Sequence, residues 1–124
     1  MNKKETIINR LINNCAEIIT EDEFNERLSG KEKLTHYIGF EISGYVHIGQ
    51  GIMSALVMKD LTDLGVKCTV WLADWHTYIN EKLDGTKETA AKIGEGYFKE
   101  AIKASFLAIG GNPDKLEFRL ASQW

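Results

Sequence analysis

Between positions 37 and 51 the chain reads Tyr-Ile-Gly-Phe-Glu-Ile-Ser-Gly-Tyr-Val-His-Ile-Gly-Gln-Gly. Gly39, Gly44 and Gly49 would let a bulky ligand come close to the backbone. A helix opening just after them would offer free N–H groups and the positive end of its dipole, both suited to phosphate. His47 could donate a hydrogen bond to phosphate oxygens as charge builds during an in-line displacement. The segment is neither a Walker loop, since no Gly-Lys-Ser/Thr follows, nor a GxGxxG fingerprint. Its glycines could equally do no more than shape a tight strand-to-helix turn, with His47 as an incidental cap. Spacing alone leaves both readings open. A second cluster, Leu72 to Asn80, carries Asp74, Trp75 and His76 just beyond a β-prone run. Asp74 and Glu81 could be imagined as an acid–base pair, although Glu81 reads as a solvated loop residue.

The elements that must position these groups follow from periodicity. Residues 5–19 place Ile8, Leu11, Ile12, Cys15, Ile18 and Ile19 at helical spacing. Thr20 followed by Glu23 is a capping-box pattern for a second short helix, with Phe24 and Leu28 inward and Gly30 past its end. A strand is expected over Leu34 to Phe40, directly before the glycine-rich turn. The apolar residues Ile48, Ile52, Ala55, Leu56, Leu61 and Leu64 predict a helix over 46–64, closed by Gly65. Strands are predicted over 66–71, extended by Leu72-Ala73, and over 115–120, with a continuous helix over 87–108 between them. Trp71 and Trp75 are then read as lying along the second strand, with core packing the default for at least one of them. The charges from Lys87 to Lys103 form a solvated helix face. The order βαβαβ predicts half of a doubly wound parallel α/β sheet, its crossovers carrying both helices over the sheet. Ligands of such sheets bind outside the carboxyl ends of the strands, where the glycine-rich turn lies.

Composition narrows the partners. Of the 124 residues, 44% are hydrophobic and 27% charged, which suits a globular chain, and the formal charge is −3. That charge excludes a protein holding nucleic acid by electrostatics alone. The N-terminus shows no signal peptide and no apolar run reaches membrane-spanning length, so the chain reads as cytoplasmic and free of membrane. Cys15 and Cys68 match no metal spacing and read as reduced, buried thiols.

The run from Tyr37 to Gly49 resembles the first signature, His-Ile-Gly-His, of class I aminoacyl-tRNA synthetases. Its lead-in, YIGFEISG, is similar to the archaeal/eukaryotic tyrosyl-tRNA synthetases, as are LADWHTYIN at 72–80 and TEDEF at 20–24. The resemblance covers about residue 16 to the end. It implies a Rossmann-like (HUP-type) fold preceded by two short helices, with residues 1–33 a helical extension and 34–124 the N-terminal half of a catalytic domain. It implies a tyrosine–tRNA ligase that activates L-tyrosine with ATP, bringing Mg²⁺ with the nucleotide and no dedicated metal site, then charges tRNA(Tyr). The complete enzyme is expected to be a homodimer. Gly39, Phe40, Ser43, Gly44, His47, Gly49 and Gln50 correspond to ATP-binding positions, His47 and Gln50 being the catalytic ones. Tyr37, Gly39, Glu41, Ala73 and His76 correspond to positions around the bound tyrosine.

Two positions depart from the pattern. Gln50 stands where the fourth signature residue is histidine, so it can donate a hydrogen bond but carries no imidazolium charge. Ile42 replaces the usual proline before Ser43. The lysine-bearing second signature and the helix that holds the substrate ammonium are not found in the chain, which is therefore expected to be a fragment, inactive in full aminoacylation. A tryptophan–tRNA ligase and a non-catalytic nucleotide-binding fragment are the rival readings; Tyr37 weighs against the first.

Overall fold

The computed structural model describes residues 2–30 and 33–123. Residues 1, 31, 32 and 124 of the two expected units lie outside them. Helix α1 (Lys3–Asn14) opens with a full capping box: the Asn2 side chain accepts from the Glu5 N–H and the Glu5 side chain accepts from the Asn2 N–H. Cys15, expected inside this helix, is its extended C-cap and is only half-buried. The inward face is Ile7 and Leu11. Helix α2 (Glu21–Ser29) starts where Thr20 accepts from the Glu23 N–H, buries Leu28, and stops at Gly30.

Strands β1 (Thr35–Phe40), β2 (Lys67–Leu72) and β3 (Leu116–Leu120) form a parallel sheet in the order β1-β2-β3. The α/β expectation holds, and the register sorts side chains onto two faces. His36, Ile38 and Phe40 lie beside Cys68, Val70 and Leu72, which lie beside Leu116, Phe118 and Leu120. This face is covered: it forms one core with Ala55 and Met58 of α3 (Ser54–Asp63) and Ile102 and Phe106 of α6 (Lys99–Ala108). Ile7 and Leu11 of α1 join the same core, and Arg10 pairs with the buried carboxylate of Asp60 on α3. The opposite face carries Thr35, Tyr37, Gly39, Lys67, Thr69, Trp71, Glu117 and Arg119. No helix covers it among the described residues, and Tyr37 is 75% exposed.

Both predicted crossover helices contain a π-helical turn. Gly49–Met53 leads into α3, and Gly94–Phe98 joins α5 (Lys87–Ile93) to α6. Each such turn holds one residue more than an α-turn, so the inward face shifts. Leu56, expected inside, is accordingly exposed, whereas Met58 turns inward; Ile48, also expected inside, precedes the turn as its exposed N-cap residue. A further short helix, α4 (Asp74–Ile79), starts after β2 where the sequence suggested a continuing strand, so Trp75 sits on a helix.

Candidate functional site

The site is built at the carboxyl ends of β1 and β2. Gly39 lies opposite Trp71 and Phe40 opposite Leu72, so residues 41–44 and 73–76 leave the sheet side by side. The Ala73 N–H donates to the Phe40 carbonyl at 2.9 Å and extends the pairing one step. A Cβ on Gly39 would lie 3.9 Å from that of Trp71, an ordinary contact. Phe40 turns its ring into the core against Phe98, centroids 6.0 Å apart, leaving only its backbone for a ligand.

Two residues not singled out in the sequence fix the exits from these strands. Thr77, fully buried on α4, accepts from the Ile42 N–H at 2.8 Å and donates to the Ala73 carbonyl at 3.1 Å. Asn80 donates through Nδ2 to Glu41 Oε1 and so orients that half-buried carboxylate. Both lie within the 72–80 motif, whose polar residues were the available signal. His76 sits on the exposed side of α4. Asp74 and Glu81 do not act as a pair of free acids: Asp74 is buried and accepts from the Ser122 N–H at 3.0 Å, while Glu81 is exposed.

The loop from Ser43 to Ile48 is largely exposed, and nothing lies within 4 Å of where a Gly44 Cβ would stand. The first helical turn beyond it has no side-chain cap at Ile48. The opening turn of a helix leaves N–H groups without intrahelical partners; here the Gly51 N–H already donates to the His47 carbonyl at 2.8 Å. His47 Nδ1 accepts from the Gly49 N–H at 3.2 Å. A neutral ring accepting there carries its hydrogen on Nε2, so the free ring nitrogen is a donor. Gly51 is packed closely: a Cβ there would stand 2.6 Å from Ser105 Oγ and 3.3 Å from Val46 Cγ1. Gln50 is half-buried beside it.

Among the described residues no three His, Cys, Asp or Glu side chains gather closely enough to hold a metal ion. No helix among them is long and apolar enough to cross a membrane.

Residues 29–124 match the family model described as tRNA synthetases class I (W and Y). The chain is similar to the tyrosine–tRNA ligase of Thermococcus kodakarensis, 49% identical over 107 residues, which is 86% of this chain and 28% of that protein. In structure it is similar to the tyrosyl-tRNA synthetase of Pyrococcus horikoshii complexed with L-tyrosine, with TM-score 0.90 and 39% identity over 98% of this chain and 33% of that one. The Leishmania major tyrosyl-tRNA synthetase in complex with tyrosinol gives TM-score 0.82 and 32% identity, covering 99% of this chain and 22% of that one. The chain thus spans about a third or less of the relatives it matches.

Proposed function

Because this chain belongs to the class I tRNA synthetases of the W and Y family, we propose that it supplies the ATP-binding and part of the tyrosine-binding surface of a tyrosine–tRNA ligase. Residues 1–33 act as a helical extension, and residues 34–124 are half of the catalytic domain. The tyrosine carboxylate attacks the α-phosphate of ATP, the bond to the β-phosphate oxygen breaks, and tyrosyl-adenylate and pyrophosphate form. The tyrosyl group then passes to tRNA(Tyr) in a homodimeric, cytoplasmic enzyme. Class I enzymes of this family use ATP, and Mg²⁺ arrives on its phosphates.

One observation carries this reading: the glycine-lined loop ends at a helix start where His47 takes the Gly49 N–H on Nδ1 and keeps Nε2 free. That donor and the Gln50 amide meet the phosphates, and their work is positioning and charge stabilisation. Gly39, Phe40, Ser43, Gly44 and Gly49 give backbone beneath the nucleotide and adenylate. Tyr37, on the open sheet face, and Glu41, oriented by Asn80, meet the tyrosine substrate beside Ala73 and His76. The similarity to tyrosine ligases, together with Tyr37, favours tyrosine over tryptophan.

The test is an NMR titration of the chain with MgATP. Amide shifts should concentrate between Gly44 and Gly51, and His47→Ala should raise the ATP Kd about tenfold or more. Shifts confined to α1 and α2, or none at all, would refute the nucleotide assignment.

A further inference from the structure

Tyr97 lies outside the residues assigned above to nucleotide or tyrosine, yet it touches the loop twice. Its Oη accepts from the Val46 N–H at 3.1 Å, across 51 positions of sequence. Its ring meets that of Tyr45 edge-on, with centroids 5.8 Å apart and planes at 89°. Tyr45 is itself 88% exposed, so Tyr97 is what gives this part of the loop a wall.

The support under Tyr97 is firm. It belongs to the second π-helical turn, whose last residue, Phe98, is 1% exposed and packs on Phe40 at the end of β1. At the head of the same turn, a Cβ on Gly94 would stand 2.6 Å from Ile42 Cδ1, so the turn is seated directly on the residue where β1 gives way to the loop. Val46 is held from the other side too, since its Cγ1 lies 3.3 Å from the Cβ position of Gly51 on the first π-helical turn. The two π-helical turns therefore grip one residue, Val46, immediately before His47.

We propose that Tyr97 is a positioning residue for the nucleotide loop: it fixes the Val46 peptide and thereby the placement of His47 against the phosphates. The inference rests on the ATP-binding reading of that loop. A peptide N–H pinned by a phenol oxygen restricts the backbone one residue before the imidazole. Loss of that acceptor leaves the loop to sample other conformations, and a binding-competent state that is only partly populated weakens apparent affinity in proportion.

The experiment compares wild type, Tyr97→Phe and Tyr97→Ala by MgATP titration and by amide hydrogen exchange without ligand. Tyr97→Phe keeps the ring and the fold and removes only the acceptor. It should raise the ATP Kd about threefold to tenfold, in line with one lost hydrogen bond. The Val46 amide should exchange faster, while the Ile42 amide, held by Thr77, should not change. Tyr97→Ala, which also removes the Tyr45 contact, should raise the Kd further. A purely structural role would instead lower thermal stability and loosen both amides together. ATP binding by wild type with an unchanged Kd in Tyr97→Phe overturns this inference and leaves the nucleotide reading intact. Failure of wild type to bind ATP overturns both.

Discussion

The two faces of one sheet obey different rules. On the covered face nearly every position is apolar and sealed by α3 and α6; Val70 and Cys68 are fully buried and Leu72 is 1% exposed. On the open face the same three strands carry a polar ladder. Lys67 and Arg119 both pair with Glu117, and the Thr69 hydroxyl donates to the same carboxylate at 3.4 Å. Those cations hold the Glu117 carboxyl below its ordinary pKa by hydrogen bonds, from Lys67 first and Arg119 second. A parallel sheet normally has both faces covered, so a single covered face carries the stability here. The candidate site lies at the rim where the faces meet, drawing backbone from the rigid side and reachable side chains from the open one.

The contrast predicts its largest effect where a covered side chain is cut back. Leu72→Ala should destabilise the chain by about 2–5 kcal/mol, whereas Thr69→Ala, on the open face of the same strand, should cost well under about 1 kcal/mol. Urea unfolding of the two variants checks this, and equal costs would erase the distinction. A finer contrast comes from glycine. A Cβ on buried Gly111 would stand 2.5–2.8 Å from three ring atoms of the fully buried Phe106. Gly111→Ala should therefore cost about 1–3 kcal/mol. Gly96, exposed and with nothing within 4 Å of its Cβ position, should gain up to about 1 kcal/mol as alanine from helix propensity. Melting temperatures moving the same way for both would contradict the packing described.

The smallest expected effect concerns His36, the one titratable ring on the covered face. Its Nδ1 is buried without a hydrogen-bond partner, and burial holds its pKa below the ordinary histidine value. The unfolded chain then binds the proton more readily, so this contribution to stability is present near pH 7 and declines as pH falls below the ordinary histidine pKa, about 6.5. Thermal melts at pH 7.5 and 5.5 should show a loss on acidification that His36→Leu reduces. An identical loss in the variant would remove His36 as the cause.

Much of this was legible in the sequence because strands announce themselves locally. Residues 34–40, 66–73 and 115–120 are short β-prone runs bounded by turns, and each became a strand within a residue or so. The glycine-rich turn was legible for a similar reason, since its residues are contiguous. The π-helical turns were not. A pattern spaced three and four apart presumes a constant angle per residue, and one inserted residue rotates everything beyond it. That is why Asp60 and Thr62 came to lie inside and Leu56 outside, Asp60 being tolerable there because Arg10 pairs with it. Helix α4 was missed because six residues are too few to establish a period. Tyr97 was invisible for another reason: its role depends on a partner 51 residues away.

The strand register also dictates an order of events. Partners in β1 and β2 are 32 residues apart (67 − 35), and those in β2 and β3 are 48 apart (116 − 68). The sheet has no hairpin, so no pair of its strands can nucleate from neighbouring residues. Pairings this distant slow folding, because the intervening chain must be closed into a loop before any contact rewards it. On the ribosome β1 waits, with its edge open, until β2 emerges, and β2 waits again for β3. During that interval α1 and α2 can form their own local backbone hydrogen bonds, but α1 gains its packing partners only when α3, which holds Asp60 for Arg10, has emerged.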